Sequence, residues 1–243
     1  LEKRSPWMGL MIADLRNWIR DPMLAIAAIG PFALAVIIRF GTPYVVELAE
    51  SVFGLEPFYP VITGSMVAFG PSIYGFVVGM FVLEDREQGV LAAYRTSPLS
   101  VHGYLLYRGT TAYVLSAAAT LPALAIIGLV EVPFTVLIGS VTVGAFGGPI
   151  IAFVFATLAS NSIEGVALSK LVNLLVLGPA VVIAVVSEPL QFAAAILPTY
   201  WPVKAVVAGV AGDQFWVLLL LGVLVVHLLV IAVLGRLFAR RAD

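Results

Sequence analysis

Six long apolar runs constrain this chain more than any other feature, because each is long enough to cross a membrane. A transmembrane helix needs about 20 consecutive, mostly apolar residues to span the hydrocarbon core of a bilayer. The runs cover residues 23–40, 58–83, 104–130, 134–160, 166–186 and 215–237. They are continuous and rich in Leu, Ala, Val and Ile, whereas the strands of a membrane β-barrel are short and alternate in polarity. The sequence therefore predicts an all-α polytopic membrane protein with six transmembrane helices, forming one domain over residues 1–243.

Charged residues are scarce, so their distribution indicates the topology. They make up 11% of the chain, against about 25% in an ordinary soluble domain. All Lys and Arg residues except Arg39 and Lys204 fall on the same side of the six runs. Basic residues favour the cytoplasmic side of a membrane. Both termini are therefore expected to be cytoplasmic.

Residues 1–21 precede the first run and have the pattern of an amphipathic helix. Its apolar residues recur at helical spacing: Met8, Met11, Ile12, Leu15, Trp18 and Ile19. Asp14 and Arg16 fall on other faces of the same helix. A helix of this kind lies in the membrane surface, so we expect it in the cytoplasmic interface.

Residues 187–214, between the last two runs, are too long for a tight turn and too interrupted by proline for a span. The stretch includes the adjacent aromatic residues Tyr200 and Trp201, a residue type enriched at membrane interfaces. The pattern favours two short helices that dip into the outer interface as a re-entrant segment. A simple surface loop is the alternative.

Residues 84–103 form the densest polar stretch and separate the second run from the third. Acidic residues crowd the start of the stretch 87–95, where negative charge suits a helix N-terminus, and a Ser-Pro dipeptide ends it. Val90, Leu91 and Tyr94 fall on one face of the short helix predicted there. Such a face is expected to be presented to a partner, whereas a solvated connecting loop is the alternative.

A family resemblance rests on the sequence motifs of this loop. The sequences Glu87-Gln88-Gly89-Val90-Leu91 and Thr96-Ser97-Pro98-Leu99-Ser100, followed by Tyr104-Leu105, resemble the first cytoplasmic loop of ABC type-2 permeases. These are the membrane subunits of ATP-binding-cassette exporters. Residues 161–165 and 198–202 resemble two further segments of the same family. In length and sequence motifs the chain is most similar to the small permeases of the fluoroquinolone-exporter type.

The resemblance implies roles for particular residues. The loop between the second and third spans would form a coupling helix that docks on an ATPase subunit. That contact would involve Glu87, Gly89, Leu91, Tyr94, Arg95, Pro98 and Leu99. The substrate path would involve Thr63, Met66, Phe69, Tyr74 and Asn173, although ordinary helix packing is the alternative for each of them. Tyr200 and Trp201 would belong to an outer gate.

The resemblance also implies partners and a location. The chain has no Walker A loop, so ATP and Mg²⁺ would bind a separate ATPase subunit and this chain would bind no cofactor. Six spans are half of the family's twelve, so a second permease copy is expected, most simply as a homodimer. The location would be a prokaryotic inner (plasma) membrane. The cargo would be a hydrophobic or amphipathic compound, either drug-like or a lipid, exported from the cytoplasm.

Other function classes have less support in the sequence. The net charge of −1 argues against nucleic acid as a partner, and no catalytic motif points to an enzyme. With two His and no Cys, no metal site is expected. A secondary transporter driven by an ion gradient is the alternative. Such proteins use buried carboxylates, whereas every Asp and Glu here falls at a loop or a span end.

Two features inside the spans have open interpretations. Ser140, Gly144 and Gly148 recur every four residues, as in the small-residue stripes that allow close helix packing. Packing within one subunit is favoured over a dimer contact. His227 lies within the sixth run, where an ionisable residue is a functional candidate, but a neutral His bonded to a neighbouring helix is the favoured interpretation.

Overall fold

The computed structural model describes residues 6–20, 22–49, 54–91 and 100–242, with backbone only for some residues at the ends of these segments. Ten α-helices occur in the described residues: α1 Pro6–Arg20, α2 Pro22–Ala49, α3 Tyr59–Glu87, α4 Ser100–Ile127, α5 Phe134–Gly144, α6 Gly147–Leu158, α7 Ser162–Val185, α8 Glu188–Gln191, α9 Tyr200–Val210 and α10 Trp216–Ala242. Two short 3₁₀ helices, Glu56–Phe58 and Phe192–Ile196, complete them. These residues contain no β-strand, which confirms the all-α prediction.

Six stretches are long and apolar enough to cross a membrane, which confirms the predicted number of spans. They are Ile26–Leu48, Glu56–Glu87, Ser100–Ile127, Phe134–Leu158, Ser162–Val185 and Trp216–Arg240. Many large apolar side chains point outward from the bundle, such as Ile37, Leu174 and Leu229. An apolar surface of this extent fits lipid rather than water.

The fourth span differs from the prediction because it consists of two helices, α5 and α6. A continuous helix would need an N–H group on residue 149 to bond the carbonyl of Ala145, and Pro149 has none. The Gly148 N–H instead donates to the Ala145 oxygen at 3.0 Å, and the Phe146 N–H donates to the Val143 oxygen at 3.2 Å. The backbone therefore tightens into a short turn between the two halves of the span.

Helix α3 is the central helix of the bundle and packs against α4, α6 and α7. Its contact with α6 is close: a Cβ added to Gly75 would lie 2.6 Å from the carbonyl oxygen of Gly148. A Cβ added to Gly148 would lie 2.8 Å from the carbonyl oxygen of Ala112 on α4. Gly148 thus serves packing within one chain, as the sequence favoured.

Helix α1 presents two faces. Leu10 and Asp14, one turn apart, are buried against the bundle, while Met8, Met11 and Leu15 are exposed. The amphipathic pattern is therefore divided between a face that contacts the protein and an apolar face that is free to contact lipid. The position of this helix in the membrane surface stays a prediction.

The two ends of the bundle differ in character. At one end, here called the charged end, α3 and α6 finish while α4 and α7 begin. It contains Asp14, Asp85, Arg86, Glu87 and Arg108. The opposite end contains the short helices of residues 187–214, of which α8 and α9 are the best defined.

Candidate functional site

Arg108 on α4 is the centre of a buried ion network at the charged end. The residue is 2% exposed. Its Nη1 lies 2.8 Å from Oδ1 and 2.7 Å from Oδ2 of Asp14 on α1, and its Nη2 lies 2.6 Å from Oδ2 of Asp85 on α3. One guanidinium thus joins three helices.

Two tyrosines complete the hydrogen bonds of this network. The Tyr104 hydroxyl donates to Asp85 at 2.6 Å and accepts from Arg108 Nε at 3.1 Å. The Tyr107 hydroxyl donates to Asp14 at 2.8 Å. The guanidinium carbon also lies 5.4 Å from the ring centroid of Phe81. A buried charge needs this degree of pairing, because the cost of removing it from water is large.

Arg86, at the end of α3, bonds to other helices, as does Glu87 after it. Arg86 donates through Nη1 and Nη2 to the carbonyls of Ala159 and Ala156, at 2.8 and 2.6 Å. A cation suits that position because the carbonyls at a helix C-terminus carry partial negative charge. The same guanidinium lies 5.3 Å from the ring centroid of Phe238 on α10. Arg86 therefore joins α3 to α6 and α10.

Glu87 bonds the start of α7. Its Oε1 accepts the N–H of Ser162 at 2.6 Å, where a carboxylate is favoured by the helix dipole. Asn161 caps the same helix by accepting the Glu164 N–H at 2.9 Å, and Glu164 accepts the Ser160 N–H at 2.7 Å. The predicted coupling residue Glu87 thus connects the two loops of the charged end.

Gly89 and Leu91 follow α3 directly. Gly89 has φ +71°, and a Cβ added to it would meet nothing within 4 Å. Its N–H donates to the Arg86 carbonyl at 3.0 Å, so the glycine reverses the chain at the C-terminus of α3. Tyr94, Arg95, Pro98 and Leu99 lie outside the described residues.

The Leu91 side chain packs onto the bundle, and its predicted part in an ATPase contact stays a prediction. Leu91 is 8% exposed and belongs to an apolar cluster with Leu10, Val82 and Phe238. The physical reason is that an apolar face following a helix end can turn back onto the bundle, where it buries more surface than in solvent. Leu91 therefore fixes the start of the loop against the bundle.

The network of Asp14, Asp85 and Arg108 was not predicted as a site. From the sequence, Arg108 counts among the basic residues that indicate the topology, and Asp14 falls on a polar face of the first helix. One signal was available: an arginine preceded by Tyr104 and Tyr107 within an apolar run is an ionisable residue at membrane depth. Its partners could not be read from the sequence.

The predicted substrate-path residues do not lie together. Thr63 and Met66 are buried, Phe69 is partly buried, and the Thr63 hydroxyl has no hydrogen-bond partner among the described residues. The Tyr74 hydroxyl donates to the Ala28 carbonyl at 2.7 Å. Asn173 lines a cavity of about 270 Å³ between α2, α3 and α7.

The aromatic pair at the opposite end is packed rather than free. Tyr200 is 1% exposed, and its ring lies 5.4 Å, edge to face, from that of Trp201. The Trp201 Nε1 donates to the Ala195 carbonyl at 2.9 Å, and burial raises the pKa of Tyr200. Lys204 on the same helix bonds Glu188 at 2.6 Å, which lowers the pKa of the Glu188 carboxyl.

His227 is buried within α10, and its Nδ1 lies 3.2 Å from the Val143 carbonyl of α5. The contact joins the two helices just before the break in the fourth span. Among the described residues, no group of three or more His, Cys, Asp or Glu side chains is placed to hold a metal ion.

Comparison with known proteins identifies the family. Residues 14–235 match the family described as "Fluoroquinolones export permease protein Rv2686c-like". The fluoroquinolones export permease proteins MT2760 and Rv2686c, from two strains of Mycobacterium tuberculosis, are each 26% identical over 232 residues, covering 93% of this chain and 90% of theirs. No solved structure matches the chain significantly. The match confirms the resemblance seen in the sequence, and the chain belongs to the Rv2686c-like family of export permeases, which are transport proteins and not enzymes.

Proposed function

We propose that this chain is the membrane-spanning subunit of an ATP-driven exporter, working with a separate ATP-binding-cassette ATPase. Family membership supports export, and the names of the relatives support a fluoroquinolone-like, amphipathic cargo. The loop motif around Glu87 and Gly89 supports docking of the ATPase at the charged end. With that orientation, the charged end and both termini are cytoplasmic in a prokaryotic inner membrane.

One observation of the structure favours this mechanism over a passive loop. The loop after α3 begins beside Arg86 and Glu87, which bond α6 and α7. Arg108 lies two helical turns beyond the end of the loop, on α4. A push applied to the loop therefore meets bonded partners on four helices, α1, α3, α6 and α7, and moves them together. Force transmission requires such stiffness, because a loosely connected loop would absorb the displacement.

The ATP site and the second permease are part of the same proposal. The sequence has no Walker A loop, so the ATPase subunit supplies ATP binding and Mg²⁺. Two copies of this chain would bring the spans to twelve, and a two-fold homodimer is the simplest arrangement. Asn173 and the cavity that it lines are the part of the predicted path most open to a cargo molecule.

One observation favours the alternative, a transporter driven by an ion gradient. Asp14 and Asp85 are two carboxylates that share a single guanidinium. Carboxylates held between helices are among the groups that ion-driven transporters use. The energy source therefore has to be part of the test.

The docking site can be tested by cross-linking, because the natural chain has no cysteine. Gln88 is exposed beside Gly89, and Gln214 is exposed at the opposite end. Gln88→Cys carrying a photoactivatable reagent should capture a subunit that itself binds an ATP photoprobe, and Gln214→Cys should not. Equal capture at both ends, or capture of a protein without ATP binding, would refute docking at the charged end.

A further inference from the structure

One cavity lies on the outside of the bundle, beside the break in the fourth span. It is a groove of about 500 Å³ between α4, α6 and α10. Sites for small molecules and cofactors typically have volumes of about 300–1,000 Å³. Leu106 and Leu228, which line it, are both exposed. The groove therefore faces the lipid.

The polar groups of the groove are concentrated at its mouth. His102 on α4 and Arg236 on α10 lie at the charged end, and neither forms a hydrogen bond or ion pair with another described residue. No carboxylate of the described residues lines the groove. Arg240 follows Arg236 one helical turn later and is also exposed. Within the described part of the chain, the mouth is therefore basic.

The remainder of the groove is apolar and closed at its far end. Phe153 forms the floor, and a Cβ added to Gly109 would lie 3.2 Å from the tip of its ring, so the glycine keeps the groove open. At the inner end the rings of Tyr113 and Phe146 pack at 4.6 Å between centroids. The Tyr113 hydroxyl is directed away to the Thr142 carbonyl, at 3.2 Å.

The length of the groove matches one leaflet of a bilayer. His102 and Tyr113 are eleven residues apart on α4, which corresponds to about 16 Å of helix. Half of the hydrocarbon core of a bilayer is about 15 Å. A single acyl chain whose headgroup sits at the mouth would reach the Tyr113–Phe146 pair.

From this geometry we propose that the groove binds one anionic phospholipid. An acyl chain lies along α4 and α10, and the headgroup phosphate accepts hydrogen bonds from Arg236 and His102. Basic pockets between transmembrane helices bind anionic headgroups in this way. A drug with polar groups at both ends fits less well, because among the described residues the inner part of the groove offers only the hydroxyls of Thr110 and Tyr113, and that of Tyr113 is bonded to the Thr142 carbonyl.

Native mass spectrometry of the full chain, extracted in mild detergent with the subunits that accompany it, tests the proposal. The probes are phosphatidylglycerol and phosphatidylcholine with identical acyl chains, supplied in equal amounts. The wild type should retain one phosphatidylglycerol per chain in preference to phosphatidylcholine. Arg236→Gln should lower that preference about fivefold, since one basic residue near anionic lipid contributes about 1 kcal/mol. Lys170→Gln, which removes a charge from α7, should leave it unchanged.

Substitutions at two glycines of α10 distinguish the effect of filling the groove from that of altering the helix in general. A Cβ added to Gly235, in the groove, or to Gly222, outside it, would meet nothing within 4 Å. Gly235→Leu should abolish retention of both lipids, and Gly222→Leu should keep it. The proposal is overturned if the wild type retains both lipids equally, if Gly235→Leu retains as much phosphatidylglycerol as Gly222→Leu, or if a fluoroquinolone displaces the lipid. None of these readouts depends on ATP-driven transport.

Discussion

Arg108 on α4 and Asp14 on α1 form a buried ion pair although 94 residues separate them, with Nη1 of the arginine 2.7 and 2.8 Å from the two carboxylate oxygens. The pair fixes the amphipathic first helix to the bundle at the charged end. Asp85 connects the same guanidinium to the end of α3, immediately before the loop that resembles a coupling helix. The first helix, the loop and the third span are thus expected to move as one unit.

Loss of the Arg108–Asp14 pair should destabilise the protein. Asp14→Asn removes the ionised acceptor of the Arg108 and Tyr107 hydrogen bonds but leaves Arg108 paired with Asp85, so the cost should be that of a hydrogen bond to a charged group, about 1.5–3 kcal/mol. The Tm in detergent should fall, and limited proteolysis should release α1 more readily. Arg16→Gln, an exposed change on the same helix, should alter neither. An equal Tm for the two variants would mean that the pair adds no stability.

Charge reversal at Glu87 should uncouple transport without unfolding the protein. Glu87→Lys replaces a carboxylate bonded to the Ser162 N–H by a cation at a helix N-terminus, which costs roughly 0.3–1 kcal/mol. Expression and Tm should change little, whereas export should be lost. Glu131→Lys, at an exposed position away from the charged end, is the control and should export normally. Normal export by Glu87→Lys would remove this residue from the coupling site.

The effect of a substitution at Gly89 should depend on the backbone conformation that the new residue tolerates rather than on its size. Because φ is +71° and the space around the glycine is open, strain arises from the backbone alone. Asn tolerates this conformation and β-branched residues do not. Gly89→Asn should therefore keep export and Gly89→Val should lose it, measured as drug accumulation in inside-out vesicles. Equal activity of the two variants would show that the turn is not needed.

Close packing at Gly148 predicts a folding defect. A Cβ there would clash with the Ser116 hydroxyl and lie 2.8 Å from the Ala112 carbonyl, and overpacking a tight contact typically costs about 1–3 kcal/mol or more. Gly148→Leu should reduce the amount of folded protein recovered from membranes. Gly178→Leu, where nothing lies within 4 Å, should not. Similar yields would show that α3, α4 and α6 can separate at low cost.

The Glu188–Lys204 pair predicts a pH dependence at the opposite end. The pKa of Glu188 is lowered by its bond to Lys204, so the pair stabilises the folded state above the usual carboxyl pKa and loses that effect as the pH falls through the lowered value. The Tm of the wild type should exceed that of Glu188→Gln at neutral pH, by a small margin because the carboxylate is exposed. The difference should vanish in acid. A difference that grows in acid would contradict this assignment.

The sequence predicted the parts of the fold that depend on local composition. The six apolar runs and the two faces of the first helix follow from hydrophobicity and spacing along one segment. The break before Gly147 was not predicted, although Pro149 was visible, because a proline inside a membrane helix can be accommodated by a kink as well as by a break.

The site was harder to predict because it depends on contacts between distant segments. Periodicity places Asp14 on a face of α1 but does not identify what that face meets, so the bond to Arg108 remained hidden. The burial of Leu91 shows the same limit, since an apolar face suits either a partner or the protein's own core. Glu87 was found from a motif, and only the structure connects it to Ser162.

Measuring which energy source drives transport decides whether this chain works with an ATPase. The chain would be recovered from its native membrane together with any bound subunit, reconstituted into liposomes, and assayed for fluoroquinolone uptake driven either by ATP or by an imposed proton gradient. We expect that an ATP-binding-cassette subunit co-purifies, that ATP alone drives transport, and that Glu87→Lys abolishes this transport. Transport by the chain alone in response to the proton gradient, without ATP, would contradict this expectation and would support a secondary transporter.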